Sequence, residues 1–285
     1  MIYKSIRPPR IGLQALFHLV VWTCWPGIAV ADVAYTVTDL GVLGGAASAG
    51  FGINASGQVT GKSTTGAFLE EFGLVVETSF LWTPTTPNGT TGTMVDIGGL
   101  GGYGGSGTGI NAFGQITGYS QTTVGDTHPF LWTPALAHGS AGTMVDIGTI
   151  AARTFDENYG MDINDSGQIA VRSPITVDHA AMYDGAFHDL GVLSGEHSEA
   201  VGINAIGQVV GNSFNGGALR FPFLWTPSTA NGSSGLMKQI IPQLGGATAI
   251  QFARTDYRVY EGDFWFESRL FMDPRYTKRN DRHRN

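Results

Sequence analysis

Nine acidic and histidine side chains between residues 156 and 199 are the part of this sequence whose types could carry out chemistry. Histidine and carboxylate groups together can bind a divalent metal or act as general acid and base. The nine are Asp156, Glu157, Asp178, His179, Asp184, His188, Glu196, His197 and Glu199. The candidate metal ligands are His179, His188, His197 and Asp178, but no nucleophile elbow, phosphate-binding loop or zinc-binding helix accompanies them. We therefore expect these groups to solvate loops, and the sequence predicts no catalytic residue, metal or cofactor.

The elements that must position these groups belong to a repeat. The motif Ile-Asn-x-x-Gly-Gln occurs four times, and 57, 53 and 40 residues separate its successive asparagines. Asparagine at the first position and glycine at the fourth favour a type I turn with a glycine bulge between two strands. The predicted turns begin at Asn54, Asn111, Asn164 and Asn204, and their left-handed glycines are Gly57, Gly114, Gly167 and Gly207.

Each repeat carries four short strand signals. In the first copy they are residues 36–43, 50–53, 58–61 and 79–82, and Pro84 ends the last because proline cannot donate to a ladder. Residues 94–98 are then expected to open the next unit. Four strands in about 50 residues is the period of a β-propeller blade. The predicted fold is all-β, a β-propeller-like array of about four four-stranded repeat units that is incomplete at the carboxyl terminus.

Residues that recur in every unit are more plausible as scaffold than as chemistry, since an active site is needed only once. The aspartates before Leu-Gly or Ile-Gly should accept hydrogen bonds from turn amides; they are Asp39, Asp96, Asp146 and Asp189. The tryptophans should fill the core between units; they are Trp82, Trp132 and Trp225. The segment from Asp162 to Gly167 is similar to a calcium loop, but Ser173 stands where the loop needs glutamate, which favours a plain turn.

Three elements in fixed order give the chain a resemblance to a known family. They are Asp-Leu-Gly, Gly-Ile-Asn-x-x-Gly-Gln and Phe-Leu-Trp, the last seen in the copies at 128–134 and 221–227. The third copy is shortened and runs from His179-Ala180-Ala181 almost directly to the next Asp-Leu-Gly. Over residues 36–250 the chain resembles the HAF-type extracellular repeat family of bacteria, although the His-Ala-Phe triplet survives only partly. The resemblance implies export and a propeller-like fold, and it brings no known catalytic residues.

The amino terminus has the features of a secretory signal. Lys4, Arg7 and Arg10 precede an apolar run over residues 11–28, and Ala29-Val30-Ala31 supplies the small-x-small cleavage pattern. We expect residues 1–31 to be removed, so that the mature protein is extracellular or periplasmic with no stable membrane insertion. The alternatives are an uncleaved membrane anchor and a lipoprotein modified at Cys24, which lacks the small residues that should precede such a cysteine.

The charge balance of residues 32–250 excludes one class of partner. This stretch holds 17 acidic and 5 basic residues, a net charge of −12, which repels phosphate backbones and argues against nucleic-acid binding. We expect a secreted, non-enzymatic repeat protein, a scaffold whose partner is an unknown extracellular glycan or protein. The alternative is a propeller-fold hydrolase or lyase acting on polysaccharide, which would need two converging carboxylates.

Residues 251–285 are predicted to be a frameshift product rather than a native domain. The repeat requires Asn near position 251, yet glycines almost vanish there and eight Lys or Arg occur in 35 residues. Residues 250–258 can be written ATC CAA TTC GCG CGG ACA GAT TAT CGG, and removing one C after ATC restores Ile-Asn-Ser-Arg-Gly-Gln-Ile-Ile-Gly. The same phase turns residues 268–284 into a sequence that opens His-Ala-Phe-Leu-Trp-Thr-Pro. The alternative is a genuine basic tail. As given, the segment is expected to add no unit and no strand order.

Restoring this reading frame should improve the protein. Deletion of one base at codon 251 is expected to raise solubility and thermal stability, because the restored hairpin and Trp-bearing strand would cover an open sheet edge that favours aggregation. Thermal melting and the soluble fraction after expression measure the two effects. Equal stability of the two proteins would contradict the frameshift interpretation.

Overall fold

A computed structural model describes most of the repeat region. The described residues are 37–71, 73–149, 157–172, 179–193, 195–214 and 220–240, together with the backbone of 250–252 and 257–259. The chain separates into two compact units, Met1–Asp39 and Leu40–Asn285, and all the sheets belong to the second. The predicted signal peptide lies outside the described residues. In the part of the chain that is described, no helix is long and apolar enough to span a membrane.

Four four-stranded antiparallel sheets make up the repeat region, and in each of them the strands follow one another in chain order. No described residue is helical. The prediction of an all-β chain with four four-stranded units is therefore confirmed.

The first sheet contains β1 (Ser48–Ile53), β2 (Val59–Leu69), β3 (Leu74–Pro84) and β4 (Gly92–Gly98). The second contains β5 (Gly101–Ile110), β6 (Ile116–Thr122), β7 (Thr127–Pro134) and β8 (Gly142–Asp146). The third contains β9 (Tyr159–Ile163), β10 (Ile169–Arg172), β11 (Ala181–Tyr183) and β12 (Phe187–Asp189). The fourth contains β13 (His197–Ile203), β14 (Val209–Phe214), β15 (Arg220–Pro227) and β16 (Gly235–Gln239).

The boundary between units differs from the prediction. Strand β4 pairs with β3, Met94 opposite Trp82, so residues 94–98 close the first sheet instead of opening the second. The same register places Met144 opposite Trp132 and Met237 opposite Trp225. Residues 36–43 are predicted as the first strand of the first unit, but the described ones among them, 37–43, lie in no strand. The fourth strand of a unit pairs with the third because the short Thr-Pro loop between them returns the chain beside the strand it has just left, as in any antiparallel hairpin.

The carboxyl-terminal segment contains a small sheet of its own. Strands β17 (Ile250–Phe252) and β18 (Tyr257–Val259) pair antiparallel, with Ile250 opposite Val259. The expectation of no strand order in residues 251–285 is wrong for five of these residues, 251–252 and 257–259, which include the β-branched and aromatic types that favour strands. The other residues of this segment lie outside the described part.

The Asn-x-x-Gly turns form as predicted. In the first, Asn54 Oδ1 accepts hydrogen bonds from the amides of Ser56 (3.1 Å) and Gln58 (3.0 Å), and the Gly57 amide donates to Asn54 O. The glycines have φ of +80°, +84°, +78° and +79° in chain order. Glycine is needed there because the left-handed region carries a steric penalty for residues with a β-carbon.

The loss of stability on replacing one of these glycines by alanine should depend on how close the new β-carbon comes to neighbouring atoms. Gly167→Ala is expected to cost about 1–2 kcal/mol from the left-handed backbone alone, because its nearest neighbour would be 3.9 Å from the new carbon. Gly207→Ala should cost more, because the new carbon would lie 3.0 Å from Asn231 Cα. Urea unfolding measures both, and Gly104→Ala, with ordinary contacts and no positive φ, is the control. Equal losses for all three variants would contradict this account.

Neighbouring sheets pack through a repeated set of apolar contacts. Leu81 and Ile97 of the first sheet cluster with Ile110, Ile116 and Trp132 of the second. The next two junctions repeat the pattern with equivalent residues: Leu131 and Ile147 with Ile163 and Ile169, then Met182 and Leu190 with Ile203, Val209 and Trp225. In the second, third and fourth sheets, one face therefore packs on the preceding sheet, and in the first three sheets the other face packs on the following one.

The three tryptophans are buried, with exposures of 5% for Trp82, 2% for Trp132 and 3% for Trp225. Trp132 and Trp225 lie in the clusters between sheets, as predicted. Each indole also covers a glycine of the fourth strand, since a β-carbon at Gly92, Gly142 or Gly235 would come within 2.6 Å of the ring. Trp132 and Trp225 thus pack both between sheets and across their own hairpins.

Candidate functional site: the turn edge

The buried asparagines connect the units by a chain of hydrogen bonds. Asn54 Nδ2 donates to the backbone carbonyl of Asn111, Asn111 Nδ2 to that of Asn164, and Asn164 Nδ2 to that of Asn204, each at 3.1 Å. Every Nδ2 also donates to the Gln Oε1 of its own motif, at 2.7–3.0 Å. The sequence predicted the turns but not these links. They fix successive turns against one another.

The glutamines fasten the Thr-Pro loops to the same edge. Gln58 Nε2 donates to the carbonyl of His138 (3.0 Å) in the second unit, and Gln168 Nε2 donates to that of Asn231 (3.0 Å) in the fourth. Within a unit, the amide of His138 donates to the carbonyl of Phe113, and Asn88 and Asn231 make the equivalent bond. We call this end of the sheets the turn edge; it comprises the turns 54–57, 111–114, 164–167 and 204–207 and the loops 85–91, 135–141 and 228–234.

The turn edge exposes apolar side chains at the positions that vary between repeats. Phe113 and Ile206 occupy the third position of their turns and are 53% and 49% exposed. Leu136, in the loop bonded to the Phe113 turn, is 78% exposed. In contrast, the side chains of the constant Asn and Gln form hydrogen bonds within the protein, as Asn54 and Gln58 do in the first motif. The edge therefore combines a fixed backbone with variable, exposed side chains.

The recurring aspartates accept hydrogen bonds from turn amides, as predicted. Asp96, Asp146 and Asp189 each accept, through Oδ1, the amide of the glycine two residues later at 2.7 Å. A second side chain contacts each aspartate, from the third strand in the first two sheets and from two residues before β11 in the third. Thr78 donates its hydroxyl to Asp96, while His128 and His179 place Nδ1 2.8 Å from an oxygen of Asp146 and Asp189. Asp39 belongs to the other compact unit.

The histidines predicted as candidate metal ligands do not converge. His179 contacts Asp189, whereas His188 Nε2 lies 2.7 Å from Asp184 Oδ1. His188 and Asp189 are consecutive on β12, so their side chains point to opposite faces of the sheet. The His197 ring stacks on Phe214. Asp178 and Asp156 lie outside the described residues, and in the described part no three His, Cys, Asp or Glu are grouped to hold a metal.

The remaining acidic groups of that stretch have separate partners. Glu199 pairs with both Arg172 and Arg220, and Glu157 accepts the Tyr159 hydroxyl at 3.2 Å. Burial, followed by the charge of Glu157, raises the pKa of Tyr159 to about 12, so this phenol stays neutral at physiological pH. Glu196 is exposed. Glu199 lies on β13, whereas Glu157 and Glu196 lie outside the named strands, so these acidic groups do not form one cluster.

The segment compared with a calcium loop is a plain turn, as predicted. Asp162 accepts the amides of Ile163 and Ile203 through its two carboxylate oxygens, at 2.9 and 3.1 Å. Asp165 Oδ1 accepts the amide of Ala112 at 2.8 Å. Both carboxylates therefore serve to join neighbouring units.

Comparison with known proteins adds little to this description. No family model matches the chain, and no curated protein matches it. A solved structure titled "Crystal structure of TolB from Acinetobacter baumannii" is similar over 69% of this chain, with 12% sequence identity and a TM-score of 0.44. The aligned part spans 44% of the TolB chain, less than half of its length.

Proposed function

We propose that the protein is a secreted, non-enzymatic scaffold, with its sheets in a propeller-like array, whose turn edge binds an extracellular glycan or protein. The observation that carries this proposal is that some positions of the repeat motif stabilise the turn, whereas another varies and faces solvent. The constant Asn, Gly and Gln residues hold the turns in register, while the third turn position varies between Ser, Phe and Ile and exposes Phe113 and Ile206. A rigid edge with variable side chains loses little conformational entropy on binding.

The second unit offers the strongest contact surface. Phe113 and Leu136 lie on a turn and a loop joined by the bond from the His138 amide to the Phe113 carbonyl (3.2 Å). An exposed aromatic ring can stack on the apolar face of a sugar or enter a pocket of a protein partner. Aromatic side chains, phenylalanine among them, are enriched at the cores of binding interfaces.

The net charge and the predicted export limit the chemical classes of partner that the protein could bind. The net charge of −12 over residues 32–250 disfavours polyanions such as nucleic acids. The basic start, the apolar run and the Ala29-Val30-Ala31 site support export, which places the partner outside the cytoplasm. A neutral or cationic surface component fits both conditions.

A hydrolase acting on polysaccharide finds less support. It would need two carboxylates directed at one substrate, separated by about 5–10 Å. The described carboxylates of the repeat positions cap turns, and Glu199 is neutralised by two arginines. No described geometry favours this second function.

Binding of the partner should depend on the exposed apolar side chains of the turn edge and not on exposed apolar side chains elsewhere. The double variant Phe113→Ser, Leu136→Ser is expected to bind its target at least about 10-fold more weakly, a loss of about 1.4 kcal/mol. The measurement is retention of the purified protein by a panel of neutral polysaccharides and by extracts of bacterial surface proteins, followed by titration of the retained component.

A matched control exists in the same unit. Val124 is also 78% exposed but lies in the β6–β7 hairpin at the opposite end of the sheet. Val124→Ser should bind like the parent. Equal weakening in both variants, or release of new reducing ends from a polysaccharide by the parent protein, would overturn the proposal.

A further inference from the structure

Neighbouring sheets meet at matched positions of the repeat. Thr60 faces Gly107 across the first junction and Thr117 faces Gly160 across the second, so closely that a β-carbon on either glycine would collide with the threonine hydroxyl. At these two junctions the fit leaves no space for a larger side chain. Two residues further along the second strand, in contrast, every unit has a different side chain; the four are Lys62, Tyr119, Arg172 and Asn212.

This variable position makes an aromatic contact at the second junction and an ion pair at the third. Tyr119 packs edge-on against Tyr159 of the third unit, with ring centroids 4.8 Å apart. Arg172 occupies the same position in the third unit, and its Nε lies 3.2 Å from Glu199 Oε2 of the fourth. Because Arg172 is also the cross-strand partner of Tyr159, the two contacts adjoin.

The carboxylate of Glu199 is shared by two arginines. Arg220 Nη1 donates to Glu199 Oε1, the oxygen that also accepts the Asn212 side-chain amide at 3.3 Å. One arginine is enough to balance the charge of one carboxylate. The group formed by Arg172, Glu199 and Arg220 therefore has one positive charge in excess.

Such a grouping is unusual in this acidic chain. Residues 32–250 contain 17 acidic and only 5 basic residues. In the part of the chain that the structure describes, the basic residues are Lys62, Arg172, Arg220 and Lys238. Lys62 pairs one-to-one with Glu77 at 2.8 Å. The other ion pair of lysine or arginine in this part is the one in which two cations share a single partner.

The two guanidinium groups are held in place but still accessible. The Glu199 side chain is only 12% exposed, whereas those of Arg172 and Arg220 are 43% and 48% exposed. Arg220 also lies over the Phe214 ring, 5.4 Å from its centroid. Each guanidinium carries more N–H donors than its single hydrogen-bonded contact with Glu199 uses. A buried carboxylate thus orients two cations whose remaining donors face solvent.

The tyrosine pair beside Arg172 suits a sugar ring. Tyr119 and Tyr159 are partly exposed, and a tyrosine combines an apolar ring with a polar tip. The Tyr159 hydroxyl donates to Glu157 Oε2 at 3.2 Å, and Glu157 is exposed. A sugar offers the complementary groups, an apolar C–H face and several hydroxyls.

We propose that Arg172 and Arg220 bind the carboxylate of an acidic sugar, a uronate, whose ring packs beside Tyr119 and Tyr159. Guanidinium groups donate paired N–H groups to the two oxygens of a carboxylate. One excess positive charge matches one carboxylate, whereas the net charge of −12 over residues 32–250 repels a polyanion. The ligand is therefore a single uronate within an otherwise neutral glycan.

This site is separate from the turn edge. The turns 164–167 and 204–207 precede β10 and β14, whereas Arg172 is the last residue of β10 and Phe214 the last of β14. The arginine pair therefore lies at the opposite end of the third and fourth sheets. Its ligand is bound independently of the partner proposed for the turn edge.

Calorimetric titration of the full-length protein with methyl glucuronide, methyl glucoside and acetate tests the proposal. We expect the glucuronide to bind at least about 10-fold more tightly than either of the others, since the glucoside lacks the carboxylate and acetate lacks the sugar ring. Arg220→Gln should weaken glucuronide binding at least about 10-fold. Arg220→Lys should weaken it less, because lysine keeps the charge but loses the planar paired donors.

Lys62→Gln is the matched control. It removes the same charge from a residue whose side chain is 35% exposed and paired with Glu77, and it should bind glucuronide like the parent. Thermal melting of each variant separates loss of binding from loss of folding; Arg220→Gln leaves Arg172 on Glu199 and should remain folded.

The other outcomes contradict the proposal. Equal affinity for glucuronide and glucoside would show that the arginines do not read the carboxylate, and equal affinity for glucuronide and acetate would show that no sugar ring is recognised. Equal weakening by Arg220→Gln and Lys62→Gln would mean a general effect of charge. Loss of glucuronide binding in the Phe113→Ser, Leu136→Ser variant would place the sugar at the turn edge instead, whereas failure of the turn edge to bind its partner would leave this site unaffected.

Discussion

Asn111→Ala is expected to lower the free energy of unfolding by about 3–5 kcal/mol, because each polar group left buried without a partner costs about 1–3 kcal/mol. The Asn111 side chain is fully buried. Its Oδ1 accepts the amides of Phe113 and Gln115, and its Nδ2 donates to Gln115 Oε1 and to Asn164 O. The substitution thus damages one turn and the link between two sheets together.

Chemical denaturation measures this loss, and Asn212→Ala serves as the control. Asn212 is partly exposed, and its Nδ2 donates to Glu199 Oε1 at 3.3 Å. We expect its replacement to cost less than about 1 kcal/mol. Similar losses for Asn111 and Asn212 would show that the asparagine chain contributes little to stability.

Ile110→Ala should destabilise the protein by about 2–5 kcal/mol, the range for truncating a buried isoleucine. Ile53→Ala, at the same repeat position, should change stability by no more than about 0.5 kcal/mol. The contrast arises because Ile110 packs against Leu81 and Ile97 of the preceding sheet, whereas Ile53 is largely exposed. Both substitutions remove the same atoms at the same repeat position, but only Ile110 packs against a neighbouring sheet.

Thermal and urea unfolding of the two variants give the comparison directly. A large loss on Ile53→Ala in the chain as given would mean that another segment covers this residue in solution. A small loss on Ile110→Ala would mean that the junction between the first two sheets does not hold them together.

Local features were predictable from the sequence. The turns followed from asparagine and glycine at the first and fourth positions of the motif, and the aspartate caps from a carboxylate two residues before a glycine. Both depend on atoms close along the chain. The boundary of the unit was not predictable in the same way, because a repeating string can be cut at any point and only the pairing of Trp82 with Met94 fixes the cut.

Contacts between units were harder to foresee. The bonds that join Asn54 to Asn111 and Gln58 to His138 connect residues 57 and 80 positions apart. Their motif positions were visible in the sequence, but the direction of the side chains was not. The histidine and carboxylate stretch was grouped by proximity along the chain, and strand alternation separates it in space.

The fit of threonine against glycine at the junctions also constrains how such an array can change over time. Thr60 faces Gly107 and Thr117 faces Gly160, but Ala170, which replaces the threonine in the third unit, shares a core cluster with Ala200. A recombination that removed the third unit would bring Thr117 against Ala200, where the added methyl group has no room. The units are therefore not interchangeable modules, and the chain can gain or lose them only where both partners of a junction change together.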